Sequence, residues 1–165
     1  MLKDSYVEQA VKAAPGMDYF FKVSLAAALV VAGLPLFFVY FIGFIMMIIG
    51  VCLFINFIGD SNMEYEYILT NGNVEIAAIY NASRRKEKLQ FDLDDVNMIV
   101  PKGSNRINPQ EKFAKTYSFV SKSGEGQQIS MIVEKKQKKI LVTIEPDEKS
   151  LAHIKMFAKN KCYDI

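Results

Sequence analysis

The sequence predicts an α+β protein: a two-helix transmembrane hairpin followed by a mainly antiparallel, seven-stranded sandwich or barrel capped by a C-terminal helix. Three observations carry this. Val23 to Ile58 is a run of 36 residues without a charged side chain, flanked by Lys22 and Asp60. From Glu64 onward the apolar spacing changes from helical to alternating, with turn signals between short runs. After Pro146 helical spacing returns, in Leu151, Ile154, Phe157 and Ala158.

The apolar run is too long for a core helix and too long for one crossing. At about 1.5 Å per residue a single helix would reach about 54 Å, against a hydrocarbon thickness of about 30 Å. Only helices or closed barrels satisfy their backbone in lipid, so the run reads as two short helices joined by an uncharged turn. A mean hydropathy of +0.12 therefore averages two unlike parts. The chain divides into a short N-terminal helix at 1–18, the hairpin at 19–60 and a cytoplasmic domain at 62–165. From Gly59 onward there are 17 basic and 15 acidic residues. That balance excludes the strongly basic face of a nucleic-acid binder. Cys52 and Cys162 lie at different depths and read as free thiols in a reducing compartment, and without a CxxC or Cys/His cluster there is no zinc framework. The apolar run starts too late and runs too long for a cleavable signal, so it is retained as an anchor.

Taken in order, residues 5–14 place Tyr6, Val7, Ala10, Val11 and Ala14 at helical spacing before Pro15-Gly16. This predicts a short amphipathic helix, either lying on the bilayer or packed against the later domain. Asp18 is positioned to cap the next helix, and Tyr19, Phe20, Phe21 and Lys22 form an aromatic and basic membrane entry. The spans are expected at about 19–38 and 42–59, with the turn near Phe41-Ile42-Gly43 and Pro35 as a kink within the first. All Lys and Arg lie outside the hairpin, so both ends are expected in the cytoplasm and the protein in the cell membrane as a multi-pass chain.

Glu64 to Leu69 and Val74 to Ala78 alternate around Thr70-Asn71-Gly72-Asn73, a type I′ hairpin signal. Strands follow at Leu89–Leu93, Val96–Val100, Thr116–Val120, Gln127–Glu134 and Lys139–Ile144. Residues 84–88 read as a polar hairpin tip. The last element is a helix with Pro146, Asp147 and Glu148 in its first turn.

That order of elements is the order of a pleckstrin-homology-like (PH-like) domain. The stretch Tyr67-Ile68-Leu69-Thr70-Asn71-Gly72-Asn73-Val74-Glu75-Ile76, with Arg84-Arg85 and Leu89 to Val96, resembles the opening strands of bacterial membrane proteins that carry such a domain behind a helical hairpin. Glu64 to Gly72 and the segment Ile144 to Lys149 resemble an uncharacterised family of small membrane proteins from Gram-positive bacteria. The resemblance spans nearly the whole chain and implies fold and membrane placement, but no activity. One departure stands out: PH domains that bind phosphoinositides use basic residues around the loop joining their first two strands, and the Asn71-Gly72 turn has none nearby.

Arg84, Arg85, Lys86 and Lys88 are candidate contacts to anionic lipid, each basic residue near a membrane surface contributing about 1 kcal/mol. Their bland reading is a solvated tip, as it is for Lys135-Lys136-Gln137-Lys138-Lys139. Asp92, Asp94 and Asp95 lack the glycine and distal Glu of a calcium loop. His153, the lone histidine, reads as a surface residue, the serines show no nucleophile elbow, and Gly124-Glu125-Gly126 is too short for a phosphate loop. No catalytic residue, cofactor or metal ligand is expected. The expected role is a non-enzymatic interaction or scaffold module at the cytoplasmic membrane face. Its partners would be the lipid bilayer and a protein or a second copy of itself, with no nucleic acid. The alternative is a peripheral sensor of anionic lipid.

Overall fold

A computed structural model describes residues 5–13, 17–38, 40–58, 62–108, 110–135 and 137–165. The chain forms two compact units, a helical hairpin and a β-rich unit. The expected turn into the hairpin and the residues flanking Asp60 lie outside the described residues.

In the hairpin, α1 (Met17–Phe37) and α2 (Phe41–Ile58) match the two expected spans within a few residues. Pro35 lies inside α1, and α2 begins at Phe41, so Gly43 belongs to a helix and not to the turn. Gly43 serves close packing instead. A Cβ there would sit 2.8 Å from the Gly33 carbonyl oxygen and 2.2 Å from the Phe37 nitrogen. One at Gly50 would sit 3.0 Å from the Val30 nitrogen. Ala26 and Gly33 on α1, and Gly43 and Gly50 on α2, are buried and each pair is seven residues apart. This seam of small residues lets two helix backbones touch, the usual way helices associate where no hydrophobic effect drives them together. The outer surface is the reverse of a soluble core helix. Only 11% of each 18-residue apolar window is buried, and Phe21, Phe38 and Phe41 stand 69%, 83% and 76% exposed.

The β-rich unit holds two four-stranded sheets. The first has β1 (Tyr6–Ala13), β2 (Met63–Thr70), β3 (Asn73–Tyr80) and β4 (Arg84–Asp92) in that spatial order. The second has β5 (Val96–Pro101), β7 (Ile129–Lys135), β8 (Lys138–Ile144) and β6 (Lys115–Phe119) in spatial order 5-7-8-6. β6 runs parallel to β8, while β7 is antiparallel to both β5 and β8.

Among the described residues there are thus eight strands and not seven, and the additional one is the segment expected to be the N-terminal amphipathic helix. Tyr6 to Ala13 alternates between exposed and half-buried residues, with Val7, Gln9, Val11 and Ala13 on the inner side. Val7 and Val11 fit both periods, and their β-branched side chains favour the pleated surface. Gln9 decides between them: its amide donates to the Glu145 carbonyl at 2.9 Å and accepts from the Asp147 N–H at 2.8 Å, so a polar residue belongs on the inner face. The hairpin is therefore spliced between two neighbouring strands of one sheet.

The core lies between the sheets. Tyr67, Leu69, Val74, Ile76 and Phe91 face Ile99, Ile129, Met131, Val133, Val142 and Ile144, and all are essentially inaccessible to water. α3 (Glu148–Phe157) covers one end with Ile154, helped by half-buried Leu151 and Phe157. Asp147 caps it through its carboxylate to the Ser150 N–H at 2.7 Å, so Pro146 precedes the helix and is not in its first turn.

Candidate functional site

Two polar networks and one basic strand hold the chemistry of the β-rich unit. The first network centres on Glu145, directly after β8 and 8% exposed. Its carboxylate accepts from the Ser121 N–H at 3.0 Å, the Ser121 hydroxyl at 2.9 Å and the Gly126 N–H at 3.0 Å. Burial pushes the carboxyl pKa up, but the bonds from Ser121, Gly126 and Gln128 outweigh it and hold the group below its ordinary value. Gly126 is required by close approach, since a Cβ would lie 2.3 Å from Glu145 Oε1. The Tyr67 hydroxyl extends this network inward, donating to the Phe119 carbonyl and accepting from the Glu145 N–H at 3.4 Å. Burial raises its phenol pKa strongly, which keeps it a donor. Both carboxylate oxygens are thus engaged by donors of the 121–126 loop, and Glu145 organises that loop.

The second network corrects the reading of His153 as a surface residue. His153 is 4% exposed. Nε2 lies 2.7 Å from the Asn71 carbonyl, which only accepts, so Nε2 carries a proton. Nδ1 lies 3.0 Å from the Ser5 hydroxyl. Ser5 and Asn71 also exchange bonds directly, Ser5 N–H to Asn71 Oδ1 at 3.0 Å and Asn71 N–H to the Ser5 carbonyl at 2.9 Å. Three distant segments, 5, 71 and 153, thus meet at one point. Asn71 has φ +52°, the left-handed region that asparagine tolerates, but Gly72 does not share it. The two-residue turn therefore lies where it was expected without being the expected type I′, which needs positive φ at both residues. Around this turn stand His153 and, 3.2 Å from the position of a Gly72 Cβ, the Asp92 carboxylate.

The basic cluster lies on β4 and is not a hairpin tip; the turn itself is 81–83. Arg85 reaches across the sheet to Glu66 at 2.6 Å and Glu75 at 2.7 Å, and these hydrogen bonds raise its pKa further. Arg84 lies over the Tyr80 ring at 5.1 Å. Lys86 is exposed and Lys88 half-buried. The four residues are consecutive in sequence but not equivalent in space, and Arg85 is already matched by two carboxylates. In the second basic stretch Lys139 pairs with Glu111 at 2.7 Å, and Lys135 Nζ donates to the Gln90 carbonyl at 3.1 Å. Asp92 caps the single 3₁₀ turn Leu93–Asp95 through the Asp94 N–H at 2.9 Å. Among the described residues no three His, Cys, Asp or Glu side chains converge as a metal group would require.

The chain matches the family model described as Bacterial PH-like domain (DUF6106) over residues 3–164. It belongs to this bacterial PH-like domain family. The matched range takes in β1, the hairpin and the β-rich unit alike. Comparisons with curated proteins and with solved structures found no significant match. In the PH-like unit, Glu145, Ser121, Gly126, Ser5 and the buried role of His153 are what sequence reasoning missed. The one available signal was Glu145 itself, a lone acid directly after the apolar run Ile140 to Ile144.

Proposed function

We propose that this PH-like protein is a non-enzymatic interaction module anchored in the cell membrane by its hairpin, with the β-rich unit at the cytoplasmic face. The observation that carries the reading is the splice of two lipid-length apolar helices between paired strands. β1 ends at Ala13 and β2 begins at Met63, and both belong to one sheet. Whatever the hairpin enters, it must return to the side it left, which two crossings satisfy and one does not. The exposed aromatic and aliphatic surface of α1 and α2 calls for an apolar surrounding. The absence of Lys and Arg between the helices, against their abundance in both flanks, favours flanks in the cytoplasm.

Cysteine labelling in spheroplasts tests this. Cys162 is a poor reporter, because it is half-buried, its thiol donates to the Ala158 carbonyl, and burial raises its pKa. With Cys52 and Cys162 replaced by Ser, an impermeant maleimide should label Tyr40→Cys between the helices. It should spare Glu125→Cys on the exposed 121–126 loop until the membrane is permeabilised. Labelling of Glu125→Cys in sealed spheroplasts would overturn the orientation.

A second reading, contact with anionic lipid, is favoured by one observation. Residues 80–84, the turn and the first residue of β4, belong to the same unit as the hairpin, and the Asn81 N–H donates to the Asn62 carbonyl, four residues beyond the end of α2, at 2.7 Å. Arg84 and Lys86, not Arg85, would make this contact. The full chain in mild detergent should retain anionic over zwitterionic lipid by native mass spectrometry. Arg84→Gln with Lys86→Gln should weaken that preference by up to about 2 kcal/mol, less as salt screens it. An unchanged lipid complement in the variant would sink this reading.

A further inference from the structure

After α3 the chain turns through a 3₁₀ segment, Lys159–Lys161, and the residues that follow meet β5 at Ile99. Cys162 forms a parallel bridge with Ile99, and the Tyr163 N–H donates to the Ile99 carbonyl at 2.9 Å. Cys162 and Ile165 pack half-buried against the core. Arg106 lies over the Tyr163 ring at 5.1 Å, and its Nε and Nη2 reach the Asp164 carboxylate at 2.7 and 3.5 Å. Lys161 roots the segment by donating to the Leu93 and Asp94 carbonyls at 2.9 and 2.8 Å.

The other side of β5 is filled by β7, so this segment covers what is otherwise the outer edge of the second sheet. Its main-chain grip is slight beside that of the ladders. β7 and β8 match over seven register pairs, whereas here one bridge and one backbone bond join the segment to β5. The rest of its hold is side-chain contact, from Cys162 and Ile165 to the core and from Arg106 to the Tyr163 ring and, as a solvent-exposed ion pair, to Asp164. Exposed pairs of this kind contribute little. Asp164 also sits at φ +60°, a conformation uncommon for residues other than glycine.

We propose that residues 162–165 occupy a peptide-docking groove formed by the β5 edge, Arg106 and the end of α3. A partner protein would displace them with its own extended segment. Such a segment would add parallel to β5 and present the same order, an aromatic residue for the Arg106 guanidinium, an acid for its N–H groups and an aliphatic side chain for the Ile165 position. Main-chain bonding supplies the register, and Arg106 selects the sequence. This deepens the module reading by naming its surface. It is independent of membrane orientation, because the groove lies wholly within the β-rich unit.

The test uses the full chain in mild detergent and a labelled Lys-Ser-Tyr-Asp-Ile peptide. The chain ended after Lys161 should bind it at least about tenfold more tightly than the intact chain, since the resident segment no longer competes. Arg106→Glu in the shortened chain should remove binding, as should scrambling the peptide. In the intact chain the Tyr163 amide should exchange with solvent at least about a hundredfold faster than those of β7. Should the shortened chain lose its cooperative melt, Asp164→Lys in the intact chain decides, because it keeps Ile165 in place and should still raise peptide affinity. Equal affinity with and without the segment, no binding by a folded shortened chain, or a Tyr163 amide as protected as β7 would each overturn the proposal. Failure of the labelling result with success here would remove the anchor orientation and leave the groove, and the reverse would leave an anchored module acting through another surface.

Discussion

A chain lacking residues 5–13 should lose the cooperative unfolding transition of its β-rich unit. The segment supplies the first strand of a sheet and more than its ladder. Val7 and Val11 pack on the core, and Ala13 is buried. Gln9 donates to the Glu145 carbonyl and accepts from the N–H of Asp147, the residue whose carboxylate caps α3. Ser5 completes the His153 and Asn71 network. Half-buried valines contribute roughly 1 kcal/mol each, and buried polar groups left without partners cost about 1–3 kcal/mol apiece, so a loss of about 5 kcal/mol is expected. That equals the whole stability of many small domains. Near-UV circular dichroism of the detergent-solubilised chain through a urea titration reads the result. An amphipathic helix resting on a bilayer would leave the melt intact, and an intact melt would refute the strand's role.

Glu145→Gln should destabilise the β-rich unit by about 1.5–3 kcal/mol at neutral pH, because hydrogen bonds to a charged acceptor are the stronger kind and the amide would turn a donor toward donors. The pH dependence identifies the cause. The folded carboxyl is held below its ordinary value, so on acidification the unfolded chain takes up the proton first. The stabilisation is complete above the unfolded value of about 4.3 and is lost as pH falls through the lower folded value. The difference between wild type and variant should therefore be constant near pH 7 and shrink steadily below about pH 4. Urea midpoints at neutral and acid pH check this, and a gap that widens with acid would exclude an ionised Glu145.

What was legible in the sequence follows from how local its signals are. The uncharged run, the Asn71-Gly72 turn and the alternation of β2, β3, β5, β7 and β8 are each set by neighbours within a few residues, and each element lies close to where it was expected. β1 failed because Val7 and Val11, four apart, satisfy a helix as well as a strand. The residue that separates the two, Gln9, finds its partners 136 and 138 positions away. His153 failed for the same reason, since Ser5 lies 148 residues off. The basic residues of β4 looked like a solvated tip because the carboxylates that meet Arg85 come from β2 and β3, which are brought alongside only by pairing. The seam of Ala26, Gly33, Gly43 and Gly50 was visible as spacing, but small residues in an apolar run acquire meaning only when a second helix backbone fills the space above them.

The splice of the hairpin into the first sheet also imposes an order on synthesis. β1 emerges first and has no partner until β2 follows the hairpin, so its edge stays open while both helices are being placed. Closing a loop of this length is entropically modest, growing only with the logarithm of its length, so delay and not distance is the main cost. With the hairpin crossing a bilayer as proposed, a chain that threaded one helix and not the other would leave β1 on the opposite side from β2. The sheet then cannot close, Glu145 and Asp147 lose Gln9, and the unfinished unit is left exposed to proteases. Under the proposed anchoring, completion of the fold would act as a proofreading step on membrane insertion, since only chains with both crossings made would reach the native state.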